Sequence, residues 1–88
     1  MNAHYSPHFI AKYKKIAKRN KKLSDQIKEK IAQFLRDKNN ASLNLHKLKG
    51  SMDDSWSFSI ESNIRVILMY SGDTIIFTDI GSHDEVYK

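Results

Sequence analysis

The sequence predicts an α+β fold: an N-terminal helical hairpin packed on a twisted antiparallel sheet of three to five strands. Three observations predict it. Apolar residues recur at helical spacing as far as Lys38, the period changes to two from Trp56 onward, and turn-forming residues separate the segments.

The first helix begins at Ser6-Pro7, where a hydroxyl can accept from free backbone N–H groups and proline stands where no N–H is needed. Phe9, Ile10, Tyr13, Ile16 and Ala17 then form one apolar stripe, and Lys12, Lys14, Lys15 and Lys18 fall mostly off it. Asn20 is expected to cap its C-terminus and Ser24 to cap the N-terminus of a second helix. There Ile27, Ile31, Phe34 and Leu35 follow the i, i+4, i+7, i+8 pattern, and the helix should end near Lys38 before Asn39-Asn40. Two such helices must bury their stripes on another layer.

The remainder supplies that layer. Trp56, Phe58 and Ile60 alternate with Ser57, Ser59 and Glu61 as a half-buried strand; Ile64 to Tyr70 and Thr74 to Ile80 follow, joined by Ser71-Gly72-Asp73. A short strand is expected in the "LHKLKG" segment from Leu45, and Ala3 to Tyr5 is a candidate fifth. Side-chain parity constrains the first hairpin, because a guanidinium on the Trp56 face would be buried unpaired. A three-residue loop, Ser62-Asn63-Ile64, avoids this by setting Arg65 opposite Glu61 and Val66, Leu68 and Tyr70 beside Trp56. The other face then carries Ser57, Ser59, Glu61 and Arg65, with Ile67 and Met69 farther along.

Length and composition bound the function. Eighty-eight residues, 40% hydrophobic and 28% charged, make one domain over residues 1–88. No cysteine is present, so neither a disulfide framework nor a thiolate zinc site can be built. With no apolar leader and no run of about 20 apolar residues, the expected location is the cytoplasm, away from any membrane. The net charge of +5 is uneven: Ser6 to Lys22 holds seven Lys or Arg and no acid, whereas the residues from Asn39 onward hold four bases and seven acids. Such a cationic N-terminal part suits a phosphate backbone or an acidic protein partner.

Few residues here can carry chemistry. Arg65 is a permanent cation at the start of a central strand, able to grip a phosphate in bidentate fashion, with Glu61 available to hold it. His83, just past Gly81-Ser82, supplies an imidazole whose ordinary pKa near ~6.5 lets it give or take a proton near neutrality. His46 precedes Lys47 and Lys49 in the segment expected to edge the sheet. Tyr87 can stack on a base. The four histidines lack metal-ligand spacing on a helix, and P-loop, G-x-G-x-x-G and nucleophile-elbow motifs are absent.

Taken in order, H-K-L-K-G (46–50), W-S-F-S-I (56–60), N-I-R-V-I-L-M-Y (63–70) and D-I-G-S-H-D-E-V-Y (79–87), following two helices, resemble the RelE/ParE superfamily of bacterial and archaeal toxins, nearest its RelE and YafQ-like branch. The resemblance covers nearly the whole chain and implies a microbial-ribonuclease-like fold with RNA bound on the sheet. It implies an mRNA interferase that cuts message on the ribosome by attack of a 2′-hydroxyl, without a metal or other cofactor, and that is neutralised by a cognate antitoxin in a hetero-oligomer.

Residue by residue, the resemblance assigns Arg65 to the phosphate, His83 to general acid or base catalysis, His46 to a second proton-carrying role and Tyr87 to the substrate. Beyond the resemblance, Lys47, Lys49 and Glu61 are expected to join the substrate-binding set, and Lys15 and Lys18 of the cationic first helix to hold 16S rRNA. Three positions depart from the family pattern: Ser59 replaces a histidine, Asn63 an acid, and Asp79 the usual basic residue. Those departures keep open a non-catalytic alternative, either a gyrase inhibitor or a degenerate toxin acting through antitoxin binding and operon repression.

Overall fold

A computed structural model describes residues 2–37, 39–48, 54–61, 63–82 and 86. Along the chain run β1 (Asn2–Tyr5), α1 (Pro7–Arg19), α2 (Lys21–Arg36), a 3₁₀ turn (Ala41–Leu43), β2 (His46–Lys47), β3 (Ser55–Glu61), β4 (Ile64–Ser71) and β5 (Thr74–Ser82). The five strands form one sheet in the order β1-β5-β4-β3-β2, with the helices on one face. Among the described residues no helix is long and apolar enough to cross a membrane.

Both helix starts follow from side chains that accept orphan N–H groups. The Ser6 hydroxyl accepts from the Phe9 N–H at 3.1 Å, with Pro7 in the first turn. Asn20 serves twice. Its N–H donates to the Ile16 carbonyl, closing α1, and its side-chain oxygen accepts from the Leu23 N–H at 3.0 Å, opening α2. Ser24, expected to cap the second helix, therefore lies inside α2. It is buried there, and its hydroxyl meets that of Tyr13 at 2.6 Å, tying the two helices together.

The core lies between the helices and the sheet. Phe9, Ile27, Ile31 and Phe34 from the helices meet Phe58, Val66, Leu68, Ile75, Phe77 and Ile80 from the strands. Phe34 stacks on Phe58 with ring centroids 4.9 Å apart and meets Phe77 edge-on at 6.3 Å. Tyr5 stacks on Phe77 at 4.9 Å, so β1 contributes to the same aromatic layer. Trp56 is only half-buried and packs edge-on against Tyr70 at the margin of the core.

Strands β2 to β5 pair antiparallel, as expected, but β1 joins the outer edge of β5 in parallel. Ser6 then donates to the Phe77 carbonyl, and α1 takes over alongside β5 where β1 stops. Two registers differ from expectation. Arg65 lies opposite Ser59, and Glu61 opposite Ile64, with a bulge between them, instead of Glu61 opposite Arg65 across a three-residue loop. In β5 a second irregularity falls at Thr78, where Leu68 pairs with Phe77 and Ile67 with Asp79. This bulge lets Ile75, Phe77 and Ile80 all face the core, which strict alternation would forbid.

Candidate functional site on the outer sheet face

The sheet face turned away from the helices brings together residues from four strands. Cross-strand pairs share a face, so Arg65 on β4 stands with Ser59, Ile67 with Ser57 and Asp79, and His46 on β2 with Ser57. The expected division of faces is observed for Ser57, Ser59, Arg65, Ile67 and Met69 but not for Glu61, which the bulge after Ser59 pairs with Ile64, a residue packed against the core. The outer face is nevertheless not open throughout, since Ser57 is 0% and Ile67 6% exposed, although Ile67 lies outside the core cluster.

Arg65 is half-buried at the start of β4, and its guanidinium donates to the Glu61 backbone carbonyl at 3.4 Å. The expected partner was the Glu61 carboxylate, but the bulge displaces Glu61 by one pairing step. Among the described residues no carboxylate lies within ion-pair distance of Arg65.

His46 has a defined hydrogen-bonding state. Its Nδ1 lies 3.0 Å from the backbone carbonyl of Asn44, and a carbonyl can only accept, so Nδ1 carries the proton. The neutral ring then presents Nε2 as an acceptor. Asn44 adopts φ 52°, a left-handed conformation that asparagine tolerates better than most residues, and this turns its carbonyl toward the imidazole. Sequence reasoning overlooked Asn44; the signal was an asparagine two residues before a histidine.

His46 and Arg65 lie two strands and two residue steps apart on one face, roughly 12 Å between Cα atoms at ordinary strand spacing. An extended arginine and an imidazole can both reach a single phosphodiester placed between them.

Other expected site residues fall elsewhere. Lys47 pairs with Trp56, hence on the helix-side face, and its ammonium lies 3.3 Å from Asp54. Lys15 and Lys18 are exposed on α1, where with Lys14 and Ala17 they line a shallow hollow across the molecule from Arg65. His83, Tyr87 and Lys49 lie outside the described residues.

Asp79 has a structural partner set. Its Oδ1 accepts from Lys12 Nζ at 2.9 Å and from its own following N–H, that of Ile80, at 2.8 Å, and lies 3.1 Å from His8 Nε2. It thus pins α1 to β5 just beyond the end of β1. Among the described residues no three His, Asp or Glu cluster as metal ligands.

Comparison with known proteins agrees with this architecture. The YoeB/ParE toxin from Agrobacterium tumefaciens superposes with a TM-score of 0.81 at 19% identity, covering 94% of this chain and 99% of that one. YafQ from E. coli gives a TM-score of 0.80 at 18% identity over 99% and 98% of the two chains. The same toxin in the E. coli DinJ-YafQ complex gives 0.83 at 19% identity over 99% and 98%. No curated protein matches by sequence. These similarities establish the fold, and membership comes from the family described as bacterial toxin of type II toxin-antitoxin system, YafQ, which matches residues 1–88 without a gap at either end. With the hairpin, the mixed sheet and the full-length family match in agreement, the chain belongs to the YafQ family of type II toxin–antitoxin toxins.

Proposed function

We propose that the protein is a ribosome-dependent mRNA endoribonuclease, held inactive by a cognate antitoxin and acting in the cytoplasm. The observation that carries this reading is the placement of the Arg65 guanidinium, with no carboxylate partner among the described residues, and of an imidazole nitrogen, His46 Nε2, on one sheet face within joint reach of a phosphodiester. Membership in the YafQ toxin family supports it, as do solved relatives captured with a second protein, DinJ with YafQ and YefM with YoeB.

The chemistry is proton transfer plus charge stabilisation. His46 Nε2 accepts the proton of a 2′-hydroxyl as its oxygen forms a bond to the adjacent phosphorus. Arg65 meets the negative charge that grows on the phosphoryl oxygens, an interaction stronger in the transition state than in the ground state. The P–O5′ bond breaks and the departing oxygen takes a proton from His83, leaving a cyclic phosphate and a 5′-hydroxyl. Lys15 and Lys18 hold ribosomal RNA by their charge. Glu61 contributes its carbonyl to Arg65.

Induction of the toxin in cells, followed by primer extension on a chosen message, tests the reading. Cuts at codon boundaries are expected, with loss of about a hundredfold or more in cleavage for Arg65→Ala or His46→Ala while circular dichroism stays unchanged. Intact message with stalled gyrase, or cleavage surviving both substitutions, would reject it.

A further inference from the structure

The helix layer does not cover the whole inner face of the sheet. Phe58, Val66 and Leu68 on that face are 0% exposed, but Trp56 and Tyr70, nearer the turn between β4 and β5, are only half-buried. Their rings meet edge-on, with centroids 6.0 Å apart and planes at 82°. With Asn39 and Leu45 they line a hollow of about 280 Å³. Two aromatic planes set nearly at a right angle make a corner, in which a flat ring stacked on one of them meets the other at its rim.

Packing alone accounts for two rings at a core margin; three further features point to a ligand. Asn39 stands at the mouth with its backbone N–H held by the Asp37 carboxylate at 3.1 Å. Its side-chain amide, a donor and an acceptor side by side, makes no hydrogen bond among the described residues. Lys47 pairs directly with Trp56 and so shares its face, and the ion pair of Lys47 with Asp54 is solvent-exposed, a contact that a phosphate can displace. Finally, β2 ends the sheet, and its two residues face opposite ways, His46 toward the side of Arg65 and Lys47 toward Trp56. A strand of nucleotides crossing that edge touches both.

We propose that this corner is a nucleobase pocket. It takes an unpaired base of single-stranded RNA, stacked on Trp56 and hydrogen-bonded at its edge by Asn39, with the adjoining phosphate on Lys47. The proposal rests on the reading that the substrate is RNA, though not on the cleavage chemistry. It also adds what that chemistry lacks. Arg65 and His46 meet the sugar-phosphate backbone, which is the same in every sequence, whereas an amide tells bases apart by the order of donors and acceptors along their edges. The pocket therefore gives the protein a sequence preference at a base away from the scissile bond.

Trp56 is the single tryptophan of the chain, so its emission reports on this pocket alone. The intact toxin is titrated at low ionic strength with a short 2′-O-methyl RNA, which lacks the attacking hydroxyl. Saturable quenching is expected, and the same strand made abasic should bind through its charge without quenching. In anisotropy with a labelled strand, Trp56→Leu should weaken binding about fivefold or more, with circular dichroism verifying the fold. Asn39 is exposed, so Asn39→Ala probes the pocket without disturbing the core. It should keep the quenching but bring the affinities for A, C, G and U strands to within about twofold of one another.

Arg65→Ala and His46→Ala should reach the same quenching at saturation, so a failure of the cleavage reading leaves this result standing. Equal quenching by the abasic strand would overturn the proposal, as would unquenched emission from a toxin that still cuts message. Wild-type affinities that do not differ among the four strands would overturn it too.

Discussion

The two faces of the sheet are built from the same strands to opposite ends. On the inner face Phe58, Val66, Leu68, Ile75, Phe77 and Ile80 are at most 1% exposed, and stacked aromatic rings from α2, β1 and β3 interlock above them. On the outer face the same β3 and β4 offer Ser59 and Arg65, and β2 adds His46. Alternation along a strand lets adjacent residues serve packing and chemistry without competing. The contrast teaches that stability and activity should be separable here by choosing odd or even positions.

The sharpest test of that separation sets Phe58→Ala against Arg65→Ala in urea unfolding. Removing the Phe58 ring leaves a cavity under Phe34 and should cost about 3–5 kcal/mol, whereas Arg65→Ala should change stability by less than about 0.5 kcal/mol. Similar losses for both would mean that the outer face is structural after all.

Asp79 blurs the division, because the bulge at Thr78 places it on an outer-face pairing while its carboxylate reaches α1. Asp79→Ala should lower stability by about 1 kcal/mol, moderated by the partial exposure of the cluster, and Lys12→Ala should add little on top of it. Fully additive losses in the double mutant would show the two residues to be uncoupled.

At Asn44 the effect is smaller and local. Asn44→Gly should keep the left-handed backbone and the Nδ1–H form of His46. Asn44→Val should cost about 1–2 kcal/mol of backbone strain and release the ring, visible as a change in its ¹⁵N shifts. Unaltered shifts in the valine variant would remove Asn44 from any positioning role.

The mildest contrast concerns pH. Burial pushes the Tyr5 and Tyr70 phenols above the usual tyrosine range. Their folded values are raised, so the unfolded chain loses those protons first; stability is unaffected below about pH 10 and declines as pH rises beyond it. Alkaline unfolding of Tyr70→Phe should show a shallower decline, and an identical pH profile would argue that this phenol is not desolvated.

Much of the architecture was legible in the residues. Ser6-Pro7 and the apolar stripes placed both helices, and the alternation from Trp56 assigned the side chains of β3 and β4 to their faces as far as the bulge before Glu61. Register was not legible, because a shift of two residues preserves every face: pairing Arg65 with Ser59 or with Glu61 satisfies the same pattern. Ser24 misled because a capping residue also suits a buried hydroxyl pair, and Tyr13 is an α1 residue eleven positions away. The placement of the site residues was less legible. Nothing in the sequence put His46 on the face of Arg65 and Lys47 on the other; the pairing of β2 with β3 decides it, since one step along a two-residue strand reverses a side chain's side, and His83 lies outside the described residues.

By itself the sequence determined what local chemistry can specify: helix starts, apolar periods, the sidedness of strands and a cationic N-terminal part, all set by interactions among residues near in the chain. Only the tertiary structure decided the parallel seating of β1, the bulge that turns Asp79 to Lys12, the freeing of the Arg65 charge from Glu61 and the corner left between Trp56 and Tyr70. Those depend on which distant surfaces meet, and a period of two or 3.6 residues carries no information about the partner on the other side.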